Sequence, residues 1–151
     1  MDSVIQKLDP EEFPLCANIW NMERNRAMAE RCYRELLCQN RITFVYKTGG
    51  AFVGEISLVF DRRDPDYTVP GQRIYLSRLI VKDSFRRQGI GTALSRYVFQ
   101  YAKENGFSEM SLGVDLDNYA ALRLYSGLGF TRILLVDEDG QGRYLKLLKQ
   151  L

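Results

Sequence analysis

The residues best suited to chemistry in this 151-residue chain form a strand, a basic glycine turn and the start of a helix. Gly89 and Gly91 lack the Cβ atoms that would keep an anion away from the backbone. A helix start also offers unpaired N–H groups and the positive end of the helix dipole, and two arginines add charge. This stretch therefore predicts a pyrophosphate site. In this stretch, the strand end is Leu79, Ile80 and Val81, and the turn with the helix start is Arg86, Arg87, Gln88, Gly89, Ile90, Gly91 and Thr92.

A second motif lies further along the chain and runs from Asn118 to Phe130. Asn118 and Tyr125 are seven residues apart, which on a helix returns to nearly the same face. The two side chains can therefore reach one ligand together. Asn is also a favoured N-cap residue, and a tyrosine at this position also suits core packing, so structural roles stay open beside the binding roles.

The two motifs, Arg-x-x-Gly-x-Gly after a strand and Asn-x-x-Ala-x-x-Leu-Tyr-x-x-x-Gly-Phe, resemble those of the GNAT N-acetyltransferase superfamily. The resemblance implies acetyl-CoA as co-substrate, a primary amine as acceptor and no metal. It implies that residues 79–81 face the pantetheine arm and that residues 86–92 hold the pyrophosphate. Asn118 and Tyr125 would complete the cofactor site, with Tyr125 as the catalytic acid that protonates the departing thiolate.

Other nucleotide sites fit the glycine turn less well. A dinucleotide-binding GxGxxG turn needs a small residue where this chain has Leu94, and it belongs in the first βα unit. A P-loop would need Gly-Lys followed by Ser or Thr, which the chain lacks. The turn is therefore interpreted as an acyl-CoA site.

The general base is the missing part of this interpretation. Family members often carry a glutamate at the position matching Tyr75 or at the position matching Gly113, and neither residue here is acidic. Other carboxylates, which suit structural roles equally, are substitutes either directly or through water: Glu55, Asp64, Asp66 and Asp115.

By the same resemblance, residues 10–39 and 61–71 form the walls of the acceptor site. Trp20, Met22, Met28 and Tyr33 are candidates for core or pocket.

The predicted activity is direct transfer of acetyl to an amine within a ternary complex. One alternative is an enzyme of the same fold that uses a longer acyl-CoA or acylates a protein N-terminus. An alternative of another class is a non-catalytic acyl-CoA-sensing module.

The amino-acid composition excludes further classes of enzyme and of binding partner. The absence of histidine excludes Ser-His-Asp and Cys-His catalysis and every His-ligated metal. Because 21 basic residues balance 19 acidic ones, no global field favours a nucleic acid or a membrane. No signal peptide or membrane span is evident, and three cysteines without CxxC spacing indicate free thiols. We expect a cytoplasmic protein with one domain over residues 1–151, and a homodimer is possible.

The element pattern predicts an α/β fold in the order β-α-α-β-β-β-α-β-α-β-β. Asp9-Pro10-Glu11-Glu12 predicts a helix start, with a helix to about Asn21, and residues 24–39 carry a second helical stripe. Thr48-Gly49-Gly50 predicts a hairpin, residues 61–71 an exposed loop, and residues 137–142 a turn. The order resembles a GNAT-like mixed, mostly antiparallel central sheet of about seven strands with helices on both faces.

Overall fold

The computed structural model describes residues 2–139 and 142–151. The fold is mixed α/β, as predicted, with a seven-stranded sheet in the order β1-β2-β3-β4-β5-β7-β6. The α-helices are α1 (Arg26–Leu37), α2 (Ile90–Glu104) and α3 (Tyr119–Gly127), and the 3₁₀ helices span Pro10–Asn18 and Asp83–Phe85. The strands are β1 (Ser3–Lys7), β2 (Arg41–Thr48), β3 (Ala51–Val59), β4 (Arg73–Val81), β5 (Glu109–Asp115), β6 (Arg132–Asp139) and β7 (Gly142–Gln150).

Backbone contacts group the chain into two compact units, and β4 contributes to both. The first unit comprises Met1–Val59 and Arg78–Val98, and the second comprises Phe60–Ser77 and Phe99–Leu151. In the first, β1 pairs antiparallel with β2, and β2 pairs antiparallel with β3. In the second, β4 and β5 are parallel, while β7 is antiparallel to both β5 and β6.

The hairpin between β2 and β3 confirms the predicted turn. Gly49 and Gly50 both have positive φ, at 57° and 81°, which is the conformation that a tight hairpin turn requires. Beneath the strands, the first unit contains a buried apolar cluster. Its members are Leu8, Phe13, Cys16, Ile19, Cys32, Leu36, Val45 and Phe52.

The first predicted helix is shorter and tighter than expected. Asp9 caps it, as predicted, by accepting a hydrogen bond from the Glu11 N–H at 3.0 Å. However, the segment Pro10–Asn18 is a 3₁₀ helix with Pro14 inside it. Proline has no N–H to donate and its ring clashes with the carbonyl four residues back, so an α-helix cannot continue through it. Sequence reasoning noted Pro10 and overlooked Pro14.

Helix α1 confirms the second helical stripe, because Cys32 and Leu36 are buried. Within this helix, the charged groups of Arg31 and Glu35 approach to 4.0 Å. Cys16 and Cys32 are buried free thiols, and Cys38 is an exposed one.

The sequence predicts a helix over residues 89–104, and α2 begins at Ile90 and ends at Glu104. It also predicts a strand over residues 130–136, whereas β6 spans Arg132–Asp139, so residues 137–139 of the predicted turn belong to the strand. Of the predicted turn over 137–142, residues 140 and 141 lie outside the described part of the chain. Within residues 2–139 and 142–151, no helix is long and apolar enough to cross a membrane.

The loop 61–71 has six exposed residues of eleven, in line with the predicted exposed loop, but it is attached to its own unit at several points. Thr68 is buried, and its hydroxyl accepts a hydrogen bond from the Arg62 N–H. The Arg73 guanidinium donates to the carbonyl of Asp66 at 2.9 Å. The Ser111 hydroxyl donates to the carbonyl of Tyr67. These bonds give the loop a defined conformation against its own unit.

Candidate functional site

The end of β4 and the start of α2 lie side by side in the first unit. A Cβ built on Gly91 would sit 3.7 Å from a methyl carbon of Leu79 and 4.0 Å from one of Val81. These are ordinary van der Waals distances, so the strand end and the first helical turn are in contact. Ile80, between them in sequence, packs against the apolar cluster of the unit. The structure thus brings together the predicted pantetheine and pyrophosphate segments.

Two residues of the turn adopt the left-handed conformation. Gly89 has a φ of 80°, and no atom lies within 4 Å of where its Cβ would be. Arg87 has a φ of 63°, which is uncommon for a residue with a side chain. A non-glycine residue held there costs about 1–2 kcal/mol, so the turn stores backbone strain at the predicted anion site.

The helix start supplies donors as the sequence predicted. The first intrahelical bond runs from the Ala93 N–H to the Gly89 carbonyl, at 3.0 Å. By helix geometry, the N–H groups of the first turn then have no carbonyl within the helix to bind. They carry the positive end of the α2 dipole, which favours an anion.

The two arginines of the turn differ in their surroundings. Arg86 lies 3.1 Å from the carboxylate of Asp83 and donates to the carbonyl of Val81 at 3.4 Å. Arg87 is exposed, and among the described residues it makes no ion pair. Since Asp83 already balances Arg86, Arg87 is the turn's available cation.

The turn therefore meets the chemical requirements of a diphosphate group. Gln88 and Gly89 are exposed, so an anion can reach the backbone, and Thr92 is half-buried on the first helical turn. Donor N–H groups, a free cation and a side chain missing at position 89 occur together. That combination fits the pyrophosphate of a CoA molecule.

Asn118 lies in the second unit as the N-cap of α3. Its Oδ1 accepts a hydrogen bond from the Ala121 N–H at 3.2 Å, which is the capping role that its residue type suggested. The side chain is exposed, and its Nδ2 donors point to no described partner. Capping thus uses the oxygen and leaves the amide nitrogen for a ligand.

Tyr125 lies two turns further along α3 and is half-buried. Its ring packs edge-on against Phe130, with centroids 5.8 Å apart. Burial, and to a lesser extent the neighbouring Tyr75, raise the pKa of Tyr125 to about 12. The phenol is therefore neutral at physiological pH and holds its proton.

The two positions at which the family resemblance led us to expect a base, Tyr75 and Gly113, both contact Tyr67, a residue that the sequence reasoning missed. The Tyr67 ring packs against the Tyr75 ring at a tilt of 46°, with centroids 4.6 Å apart. Its hydroxyl oxygen lies 2.5 Å from where a Cβ of Gly113 would be. Burial and Tyr75 raise the pKa of Tyr67 to about 12, so it stays protonated at neutral pH. A glutamate at 113 would overlap this phenol.

The substitute bases of the loop are engaged elsewhere. Lys146 of β7 is buried and donates to Asp64 at 2.7 Å and to Asp66 at 3.1 Å. Burial alone would raise the pKa of Asp64, but the hydrogen bond from Lys146 holds that pKa below its ordinary value of 3.8. Asp115 is exposed at the end of β5, and Glu55 is buried in the first unit.

Each unit contains a cleft that is lined in part by a segment predicted as an acceptor wall. In the first, residues 17–23 and 82–84 line a cleft of about 630 Å³. In the second, residues of the loop 61–71 with Phe60 and Phe107 line one of about 510 Å³. Trp20 and Met22 line the first cleft, whereas Met28 packs on the apolar cluster and Tyr33 stacks on Phe13.

Comparison with solved structures gives the class of fold. An IAA acetyltransferase from Bacillus cereus superposes with a TM-score of 0.74, at 24% identity over 99% of this chain and 100% of that chain. The PaiA N-acetyltransferase from Thermoplasma acidophilum, in complex with coenzyme A, gives a TM-score of 0.71 at 18% identity over 100% of both chains. The fold is that of N-acetyltransferases of known structure.

Sequence comparison gives the family. The model of the Acetyltransferase (GNAT) family matches residues 3–130, and the chain belongs to that family. Among curated proteins, N-acetyltransferase family 8 member 3 of Mus musculus is 38% identical over 77 residues. This segment is 51% of the present chain and 34% of the mouse protein, so the match spans about a third of the relative.

Proposed function

We propose that the chain transfers an acetyl group from acetyl-CoA to a primary amine while both are bound. The observation that carries this proposal is the turn before α2, with its donor N–H groups, its left-handed Gly89 and the free Arg87. This turn lies inside the segment that matches the acetyltransferase family model.

The donor would be held by the turn and the adjoining strand end. The N–H groups of residues 87–92 would bind the pyrophosphate, and the backbone of Leu79 and Val81 would bind the pantetheine arm. Each charge-assisted bond of this kind contributes roughly 1.5–3 kcal/mol, so several together hold the ligand without one dominant residue. The bound molecule supplies an activated acetyl group as a thioester.

Tyr125 would assist the leaving sulfur as acid, with Asn118 beside it. The Tyr125 pKa of about 12 lies above that of a thiol, about 8.5. Complete proton transfer to a thiolate would therefore be uphill by roughly 5 kcal/mol at 1.36 kcal/mol per pKa unit. We accordingly assign Tyr125 mainly a hydrogen bond to the sulfur that strengthens as negative charge develops.

The acceptor would attack as a neutral amine, and its proton must leave before the attack. Asp64 and Asp66 are paired with Lys146, and positions 75 and 113 carry no carboxylate, so we assign no side chain as the base. The proton of the amine would pass to water. Activity should therefore rise with pH toward the pKa of the amine, about 10 for an alkylamine such as lysine. Positioning of the two substrates would supply much of the rate enhancement.

Thiol release from acetyl-CoA, measured with a panel of primary amines, tests the proposal. Amine-dependent thiol release with an equivalent of acetylated amine is the expected result. Tyr125→Phe, which keeps the ring, should reduce that rate, while Tyr97→Phe on the exposed side of α2 should leave it unchanged. Tight acetyl-CoA binding with no release for any amine would contradict the enzymatic proposal.

That last outcome would favour the second candidate function, a non-catalytic acyl-CoA-sensing module. The specific observation in its favour is that Tyr67 contacts both Tyr75 and Gly113, the positions at which the family resemblance predicts a base and this chain has none. A sensor would bind acetyl-CoA through the same turn and would not need Tyr125. Calorimetric binding beside the release assay separates the two functions.

A further inference from the structure

The first unit buries a carboxylate at a position where an apolar side chain would cost less free energy to bury. Glu55 of β3 is 3% exposed, and one of its oxygens accepts a hydrogen bond from the Trp20 indole N–H. Burial raises the pKa of Glu55, against the opposing effects of the Arg78 guanidinium and the Trp20 bond. Burying a carboxylate costs several kcal/mol, which only good partners offset. The arrangement therefore suggests a role beyond filling space.

The Trp20 ring is held from a second direction by Arg78 of β4. The guanidinium carbon lies 4.4 Å from the ring centroid, a cation–π geometry. In the described part of the chain, the buried Arg78 Nε has no hydrogen-bond partner, so this nitrogen does not hold the guanidinium in place over the indole. Glu55 thus fixes the edge of the indole and Arg78 covers one face.

The same indole lines the cleft of about 630 Å³ formed by residues 17–23 and 82–84. That volume lies within the range of small-molecule sites, about 300–1,000 Å³. Ala17, Ile19, Trp20 and Met22 give the lining an apolar portion.

Two of the three charged side chains that line the cleft already have a hydrogen-bond or ion-pair partner. Lys82 donates to the Asn18 side chain at 2.8 Å, and Asp83 pairs with Arg86. Among the described residues, Glu23 makes no ion pair and is exposed. One free carboxylate beside an apolar wall suits one ammonium group on an apolar body. A polycation would need several free carboxylates.

We propose that Trp20 determines specificity for an apolar monoamine in this cleft, and that Glu55 and Arg78 are positioning residues that fix its indole. The inference deepens the proposed acetyl transfer by naming the class of acceptor. It predicts that n-hexylamine is preferred over spermidine, because Glu23 can pair with one ammonium group and the Lys82 ammonium at the cleft disfavours further positive charge nearby.

Trp20 is the chain's one tryptophan, so its fluorescence reports on this cleft alone. Titration of n-hexylamine into the wild-type protein should change the emission saturably, and spermidine should do so only at concentrations at least about tenfold higher. Trp20→Phe, which lacks the indole, is the control for any change in emission that does not come from this residue. An unchanged emission at saturating n-hexylamine, or tighter binding of spermidine, would overturn the inference whether or not the protein has transferase activity.

Kinetics separate positioning from simple folding. Glu55→Ala should raise the KM for n-hexylamine about tenfold or more and leave the Kd for acetyl-CoA unchanged. Glu55→Gln can still accept the indole N–H, so it should restore the wild-type KM. Trp20→Phe should raise KM in the same way and remains informative if Glu55→Ala does not fold. Tyr97→Phe is the matched aromatic control. Active enzyme in which Trp20→Phe keeps the wild-type KM would refute the inference and leave the acetyltransferase proposal intact.

Discussion

Replacing Arg87 by glycine separates what its charge contributes from what its backbone conformation costs. Arg87 is held at a φ of 63°, which costs a residue with a side chain about 1–2 kcal/mol. Glycine does not bear this cost, but it loses about 0.5–1 kcal/mol more conformational free energy on folding. We therefore expect the free energy of unfolding of Arg87→Gly to be unchanged or higher by up to about 1.5 kcal/mol.

The same substitution should weaken acetyl-CoA binding. A charge-assisted bond to phosphate contributes about 1.5–3 kcal/mol, and because Arg87 is exposed, screening places it at the lower end. A loss of about 1.4 kcal/mol corresponds to a tenfold higher Kd. The increase should become smaller as the salt concentration rises, since salt weakens the wild-type contact.

Urea unfolding and isothermal titration calorimetry, the latter at low and high salt, measure the two effects. Gln39→Gly is the matched control, because Gln39 is also exposed and has a φ of 63° but follows α1. It should show a similar stability change and the wild-type Kd. An Arg87→Gly protein that is less stable would refute the strain argument, and one that binds acetyl-CoA with the wild-type Kd would refute the assignment of Arg87 as the site's cation.

Four further predictions concern the second unit and the ligand. Tyr125→Phe should lower kcat about 10²-fold or more with little change in the Kd for acetyl-CoA. Because the Tyr125 pKa is about 12, single-turnover rates of the wild type should show no alkaline decline from this group below about pH 11. Gly113→Ala should lower stability by about 1–3 kcal/mol through overlap with the Tyr67 hydroxyl, and adding Tyr67→Phe should recover most of it in urea unfolding. Purely additive effects would contradict that contact. Lys146→Met should destabilise the protein by about 1–2 kcal/mol. The folded-state pKa of Asp64 lies below 3.8 and that of Lys146 above 10.5, so their stabilisation is present between those values and is lost in stronger acid or base. Unfolding of wild type and Lys146→Met across pH should show a constant gap from about pH 5 to 10 that narrows in acid, and a gap unchanged at pH 2–3 would contradict the pairing. Acetyl-CoA at 100 times its Kd should add roughly 2.7 kcal/mol and raise the Tm. A rise with NAD and none with acetyl-CoA would point to another ligand class.

Local sequence signals predicted the glycine turn and the element order well. Capping by Asp9, the hairpin at Gly49 and Gly50, and the extent of α2 depend on residues close together in the chain. Such preferences act within a few residues, so residue types reveal them. The 3₁₀ form of Pro10–Asn18 was also readable, since Pro14 excludes an α-helix at that point.

The contacts that shape the candidate site could not be predicted from the sequence in the same way. Tyr67 reaches Gly113 from a loop, and Trp20 meets Glu55 from another element. Each contact joins residues far apart in sequence, and neither a tyrosine in an acidic loop nor a glutamate in an apolar strand specifies its partner. Likewise, the pairing of Lys146 with Asp64 depends on how β7 and the loop pack. Only the folded chain shows which carboxylates are free.

The contact between Tyr67 and Gly113 makes the effect of a substitution at one position depend on the residue at the other. In the register of β5 and β7, Gly113 lies directly opposite Lys146. A carboxylate introduced at 113 would meet the Tyr67 phenol and, across the strands, an ammonium group that would lower its pKa and weaken it as a base. No single substitution therefore installs a base there. At least two substitutions would be needed, a smaller residue at position 67 and the new carboxylate at position 113. Either substitution alone would not give a working base at this position.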